Sequence, residues 1–586
     1  MYSNIRSVQI ILSLLKQYGI KDVVLSPGGS DIPLIHSIET DPDFNCYSVV
    51  DERSAAYYAM GISQTKNRAV ACVCTSGTAV SNYLPGITEA FYQNVPVVAI
   101  TADKNPYYQD QLETQKIWQN HVFDGVVKKS VDLPLVKTAD DEWLCNRLVN
   151  EALLELNHNG TGPVQINVPI VGRTDIYDCQ ILPKERRIHR RILNDDAWNY
   201  FAKHLSKKRI MVVVGQNLVF NESDICNMNL FFKKTNSIFS TEHLSNLTCD
   251  GCLNTYPLTE MFSPNRIQCL KPDLVISIGN NLAAYNLKPF LRNNFNSIEN
   301  WLIWENGTVR DAYKSLTEII ECDPAFFFET ITNYLPAENS THEYYEEWKR
   351  ETDKIKIPLF EFSNFYVAQQ LSKIIPAKSI LHLAILNSTR VMQFFKLNEM
   401  VRTYSNVGAL GIDGCVSTFA GQAAATEQLA FLLVGDLSFF YDMNAAGVRS
   451  VSNNVRIILL NNGGGSEFQF FMGKNRIPTL DSNICAEHEK VAAGWIKSLG
   501  YEYYMASNKE EFDEIIDAFG KPSEKPMFLE VLTDMEEDAN LTNQFYDNYR
   551  VEPESISSVL KSSIKKLISE KKQKKIKAII KILQED

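Results

Sequence analysis

No stretch of the 586-residue chain reaches the ~18 consecutive apolar residues of a membrane span. Positive charge is also short. The 58 Lys and Arg face 70 Asp and Glu, and the net charge of −12 excludes bulk attraction to nucleic acid or an anionic membrane. A local site for a phosphorylated cofactor is not excluded. The N-terminus lacks a small-residue cleavage site. Its apolar residues are broken at helical spacing by Ser13, Lys16 and Gln17, which predicts an amphipathic first helix rather than a signal peptide. The 12 cysteines are scattered, some inside apolar runs (Cys72, Cys74), and read as free thiols rather than disulfides or a zinc site. The expectation is a cytoplasmic protein without nucleic-acid or membrane partners.

What is present is a repeating pattern. The length exceeds one hydrophobic core, and about three domains is the expectation. Short apolar runs alternate with longer amphipathic stretches: Ala69–Cys74, Val97–Thr101, Gln165–Val168, Ile210–Val214, Leu274–Ile278, Trp301–Trp304, Ile380–Ile385, Phe431–Val434, Val455–Leu460 and Met527–Leu532. Continuous apolar strands separated by helices imply parallel sheets covered on both faces, an α/β class. Charged or polar stretches near 182–191 and 336–358 divide the chain into 1–185, 190–345 and 355–540. A Lys-rich helical tail is expected over 541–586.

The strongest local signal lies in the third segment. An apolar strand ends in Gly435-Asp436-Leu437-Ser438, 24 residues follow Asp436, and a second apolar strand ends in Asn461-Asn462 before Gly463–Gly465. Both polar clusters thus fall at the carboxyl ends of parallel strands, where α/β sheets bind ligands. A carboxylate, an amide oxygen and glycine-loop carbonyls suit Mg²⁺ holding a diphosphate. In the first segment, Glu52 opens a small-residue helix with the pattern E-x-x-A-x-x-x-A-x-G. The run Thr75-Ser76-Gly77-Thr78 follows a strand as a glycine turn.

Together the stretches DER…A.G, TSGTAVSN, TAD, YSNVGALGIDG and VGDLSFFYDMNA resemble the MenD family of SEPHCHC synthases, enzymes dependent on thiamine diphosphate (ThDP). The resemblance implies a pyrimidine-binding (PYR) domain over 1–185, a Rossmann-like central domain over 190–345 and a diphosphate-binding (PP) domain over 355–540. It also implies ThDP and Mg²⁺ as cofactors, and a homodimer or homotetramer with the active site at the subunit interface. Glu52 takes the place of the carboxyl group at N1′ of the aminopyrimidine, and Gln115 that of an active-site glutamine. Asp436, Asn462 and the Gly464 carbonyl take those of the metal ligands. Ser76, Gly77, Thr78, Gly411, Ile412, Gly435, Leu437, Ser438 and Gly465 complete the cofactor contacts, with Ile412 as the apolar wedge under the bent cofactor.

The substrate positions depart from the family. It joins a 2-oxoglutarate-derived unit to isochorismate, so its pocket needs cations, and arginine forks suit carboxylates best. Here S-P-G-S-R-S reads Ser26-Pro27-Gly28-Gly29-Ser30-Asp31, which replaces the arginine by Ser30 and adds Asp31. Val407 and Trp118 stand at two more arginine positions, Lys104 replaces a fourth, and Arg390, after Ser388, comes two positions early. Phe468, beyond the glycine loop, completes the substrate candidates. The sequence therefore predicts a ThDP- and Mg²⁺-dependent 2-oxo acid decarboxylase or carboligase with a pyruvate-like donor and a carbonyl acceptor such as a sugar. The alternatives are an authentic SEPHCHC synthase and, from another class, a silent ThDP-fold scaffold.

Overall fold

The computed structural model describes residues 1–172, 175–216, 218–336, 341–449, 451–472, 477 and 479–550. They form two compact units. The first comprises Met1–Ala197 with Glu299–Asp323, the second Trp198–Ile298 with the chain from Pro324 onward. No helix among the described residues is long and apolar enough to cross a membrane.

In the first unit, parallel strands stand in the order Asn45–Ser48, Asp22–Ser26, Val70–Cys74, Val97–Asp103, Val164–Pro169, Lys129–Asp132. The four inner strands are buried at every position, because both faces are covered. Val23, Leu25, Ala71 and Val73 join one core with the helix Arg6–Gln17. The alternating residues Val24, Val70, Cys72 and Cys74 join another with the helices Glu52–Lys66 and Thr78–Tyr92. The small residues after Glu52 allow that second pair to meet: a Cβ on Gly86 would stand 2.6 Å from that of Ala56.

The last third of the chain, in the second unit, builds a sheet in the order Arg402–Tyr404, Ile380–Leu383, Ala430–Gly435, Val455–Asn461, Met527–Leu532, Glu502–Ala506. Counted within each sheet, both follow the order second, first, third, fourth, sixth, fifth. The connection reverses between the first and third strands, which makes a switch point and opens a crevice at the strands' carboxyl ends. The middle of the chain supplies a third set of parallel strands. Cys252–Asn254, Ser237–Thr241, Ile210–Val214 and Leu274–Ile278 lie in the second unit. Glu299–Ile303, Leu316–Ile320 and His189–Arg190 lie in the first. The protein is thus α/β, with three parallel sheets flanked by helices.

Two stretches expected as boundaries contain ordered, buried structure. The polar segment after Pro336 includes the helix Glu343–Thr352, whose Tyr344 and Trp348 are fully buried and both donate to the Leu270 carbonyl. The tail expected from 541 begins inside the helix Met535–Arg550. Its Phe545 and Tyr546 are buried against Phe394, so this helix belongs to the core rather than to a solvated tail. Residues 551–586 of that expected tail lie outside the described residues.

Candidate active site

In the first unit the switch-point loops bring the N-terminal candidates together. The strand Asp22–Ser26 runs into Pro27–Asp31, and Val70–Cys74 runs into Thr75–Thr78. The Ser30 amide donates to Thr75 Oγ1 at 3.1 Å, and Ser30 Oγ lies 3.0 Å from Ser76 Oγ. Gln115 Nε2 donates to the Ser76 carbonyl at 2.9 Å. Gly77 has φ +81°, and a Cβ there would meet the Gln115 side chain at 2.8 Å, so a side chain at 77 would displace the glutamine. Sequence reasoning missed Gln119, four residues on. It is fully buried, accepts from the Gly77 amide and donates to Ala102 and Asn167, fixing the turn. The i, i+4 spacing of the two glutamines was the available signal.

Asp31, expected to add a negative charge at the substrate positions, is wholly buried instead. Its Oδ1 accepts from the Gly28 amide at 2.8 Å and its Oδ2 is without a partner among the described residues. Burial pushes its carboxyl up to about 7, and nearby Glu52 pushes the same way. Near neutral pH much of it is protonated, which weakens any repulsion of an incoming carboxylate. Because the folded pKa lies above the unfolded one, the stability it contributes is present below ~4 and is lost as pH rises through about 7. Roughly 3 units at about 1.4 kcal/mol each set an upper bound on the order of 4 kcal/mol. We expect Asp31→Asn, which keeps the Gly28 acceptor, to match the wild type near pH 4 and to exceed its melting temperature above pH 8. Parallel melting curves across that range check this, and a constant difference would disprove it.

In the second unit the expected diphosphate loop is assembled by hydrogen bonds to Asp436. This carboxylate caps the strand Ala430–Gly435, is 3% exposed, and accepts through Oδ2 from the Gly463 and Gly464 amides at 2.8 and 2.9 Å. Burial raises its pKa to about 6, a direction that a bound cation reverses. Gly463 has φ +83°, and a Cβ on Gly464 would meet the Cys485 carbonyl at 2.8 Å. Asn462 Nδ2 donates to Asp538 Oδ2 at 3.2 Å, which fixes its side chain. Asp538 is itself fixed by the Asn364 amide and Thr533 Oγ1. It lies 76 residues from Asn462, and no local pattern could have pointed to it. Ser438 Oγ donates to the Ile412 carbonyl at 2.6 Å, which ties the expected wedge to the same loop.

These donors fit a Mg²⁺ diphosphate. Carboxylate, amide and carbonyl oxygens are hard ligands, and Mg²⁺ needs only one or two carboxylates when phosphates supply the rest. Consistent with that, no group of three or more His, Cys, Asp or Glu among the described residues forms a metal cage of its own.

The substrate candidates are less open. Arg390 is 4% exposed and forms a bidentate pair with Glu467, stacked 4.5 Å over Phe470. Lys104 pairs with Glu113 and Lys116 with Asp103, the latter at 2.7 Å. Val407 is buried beside Leu244, Ala283 and Ile385, and Ser388 is 2% exposed. Trp118 and Phe468 are exposed, and Gly29 has open space around it. Arg390 is therefore a structural cation linking the helices Asn387–Met392 and Ser466–Met472. Removing one partner of a buried pair leaves an uncompensated charge, at a cost of about 3–5 kcal/mol. Arg390→Met is expected to lower thermal stability by that order, whereas a KM effect at unchanged stability would restore the substrate role.

Comparison with known proteins agrees with this geometry. Residues 5–124 match the family model for the N-terminal TPP binding domain of thiamine pyrophosphate enzymes. A 2-succinyl-5-enolpyruvyl-6-hydroxy-3-cyclohexene-1-carboxylate (SEPHCHC) synthase of Phocaeicola vulgatus is 37% identical over 561 residues, covering 93% of this chain and 99% of that protein. The synthase of the same name from Bacteroides fragilis is 38% identical over 562 residues, with 93% and 99% covered. That of Cytophaga hutchinsonii is 31% identical over 567 residues, with 92% and 98% covered. With this likeness along nearly its whole length, the chain belongs to the SEPHCHC synthase (MenD) family of ThDP- and divalent-metal-dependent enzymes.

Proposed function

We propose that the chain is a SEPHCHC synthase, decarboxylating 2-oxoglutarate and joining the remaining unit to isochorismate. The carrying observation is the likeness over 93% of the chain to synthases of that name, together with an intact oxygen-ligand loop at Asp436 and Asn462. When bound, ThDP would supply a nucleophilic carbon for the 2-oxo group and an electron sink for the decarboxylation. In this reading Asp436, Asn462 and the Gly464 carbonyl hold the metal, and Ile412 lies under the cofactor. Glu52 would hold the proton at N1′, and Gln115, which donates to the Ser76 carbonyl, would be the active-site glutamine. The labels PYR, central and PP for 1–185, 190–345 and 355–540 belong to this proposal, as does a cytoplasmic location.

A second reading has its own support. Ser30, Val407 and Trp118 stand where the family pattern has arginine, and Lys104, Lys116 and Arg390 are each committed to a carboxylate. With so few free cations among these positions, this reading favours a donor with one carboxylate, of the pyruvate class. Each lost arginine fork removes ~1.5–3 kcal/mol of charge-assisted hydrogen bonding. One assay separates the readings: CO₂ release and adduct mass with 2-oxoglutarate plus isochorismate, and separately with pyruvate. The adduct from 2-oxoglutarate and isochorismate supports the synthase. Turnover of pyruvate alone supports the second reading. No CO₂ from either by cofactor-loaded protein defeats both and leaves a scaffold.

The proposed assembly is a homodimer or a tetramer of dimers. It is supported by aromatic and aliphatic exposure on the helices Glu52–Lys66 and Thr78–Tyr92, where Tyr57, Tyr58, Leu84 and Tyr92 are each at least 40% exposed. Sedimentation equilibrium is expected to show no monomer at micromolar concentration. Mixing Glu52→Gln with Asp436→Ala protein is expected to restore part of the activity if each site draws on two chains. A fully active monomer would end this proposal.

A further inference from the structure

One sequence feature stands apart from the scattered free thiols. Cys249-Asp250-Gly251-Cys252 has the C-x-x-C spacing, which in a reducing compartment marks redox chemistry more often than a structural disulfide. The fold brings the pair into contact: Cys249 Sγ lies 3.0 Å from Cys252 Sγ, and the Cys249 amide points at Cys252 Sγ from 3.3 Å.

The backbone between them is held in place. The Cys252 amide donates to the Cys249 carbonyl at 3.1 Å and Gly251 has φ +80°, the requirement of a type II turn at its third position. A Cβ on Gly251 would meet the Phe232 ring at 2.3 Å, so glycine is needed there on two counts. The turn is clamped from both sides, by the Asp250 amide donating to Asn229 Oδ1 at 2.7 Å and the Phe239 amide donating to the Gly251 carbonyl at 2.9 Å. The two sulfurs are thus brought together with no loop left to order. Both cysteines are partly exposed, and Cys252 lines a cavity of about 480 Å³ with Thr248, Asn254, Gln393 and Lys396, which gives a small reagent access.

We propose that Cys249 and Cys252 form a redox-active dithiol that closes to an intramolecular disulfide by exchange with a low-molecular-weight disulfide. The Cys252 thiolate attacks one sulfur of that disulfide and releases one small thiol. Cys249, losing its proton to solvent, then attacks Cys252 Sγ in the mixed disulfide, and the second small thiol leaves. The pair is oxidised by two electrons and the small disulfide is reduced to two thiols, so no further oxidant is needed. Cys252 lines the cavity and Cys249 does not, which makes Cys252 the attacking group; the hydrogen bond with the neighbouring sulfur, and burial after it, push the Cys249 thiol upward.

The test uses the full-length protein loaded with ThDP and Mg²⁺, equilibrated in buffers graded from reduced to oxidised glutathione, acid-quenched, alkylated and digested with trypsin. Cleavage after Lys234 and Arg266 releases a peptide whose only cysteines are Cys249 and Cys252. Expected is a fraction of that peptide carrying no alkyl group and two hydrogens lighter than the free dithiol, rising with oxidant and reversed by excess dithiol. Cys249→Ser is expected to trap glutathione on Cys252, because the resolving thiol is gone, whereas Cys252→Ser traps little. Full alkylation of both cysteines at every poise, while exposed Cys46, Cys226 and Cys269 take up glutathione, would overturn the proposal. Trapping on Cys249 but not on Cys252 would overturn the assigned order of attack.

Discussion

Titrated with ThDP and Mg²⁺ in a calorimeter, the Asp436→Ala protein is expected to show no binding at concentrations that saturate the wild type. The loss should be at least about a hundredfold, since even groups behind a metal's direct ligands change affinity 10–100-fold. Two effects add here. The variant loses a charged oxygen ligand, and it loses the acceptor that gathers the Gly463 and Gly464 amides and so shapes the loop. Asp436→Asn separates them, because its amide oxygen still accepts from the loop while the charge is gone. If that variant bound ThDP and Mg²⁺ as tightly as the wild type, the metal assignment would fail. Its binding is instead expected to fall between the two, with the steeper loss in Mg²⁺ dependence.

Glu52→Gln is expected to leave cofactor affinity within a few-fold of wild type and to slow hydrogen–deuterium exchange at thiazolium C2 by roughly 10²–10⁴, the range typical of positioned acid–base groups. That corresponds to about 3–5 kcal/mol on the barrier. Glutamine preserves the shape of the side chain at the start of the helix Glu52–Lys66 but cannot exchange a proton in the same way. Asp51, whose side chain accepts from the Ser54 amide, caps the helix independently, so the substitution should not unravel it. NMR exchange rates on the loaded protein provide the measurement. A normal rate would move the acid elsewhere, and Asp31, buried near Glu52, would be the next group to substitute.

How much of this was legible in the sequence follows from burial. Strands covered on both faces are apolar at most positions, and Ile210–Val214, Leu274–Ile278 and Met527–Leu532 are found with the bounds their runs predict, Ser277 and the buried Glu530 being the polar exceptions. Edge strands have no such obligation. Asn45–Ser48 is largely exposed and Glu502–Ala506 mostly half-buried, so neither shows a run to read. The cofactor loops were legible because a ligand dictates their residue types: Asp436 and Asn462 stand at strand ends, Ser76 and Gly77 on a turn. The groups that hold those loops were not. Gln119 and Asp538 act through contacts set by the tertiary fold, and Arg390 looks like a pocket cation until Glu467, 77 residues on, is seen opposite it. The Cys249–Cys252 spacing was plain in the chain, but the scatter of the other ten cysteines hid it.

The shared strand order of the first and last sheets has a historical meaning. The strand order reverses at the same two places in both sheets, and duplication of a single ancestral unit would account for that shared pattern. The two copies would then have begun with equivalent crevices and diverged there alone. On this view the chain carries a paralogous pair of sheets in one polypeptide, free to change their loops separately while the scaffold beneath them stayed the same.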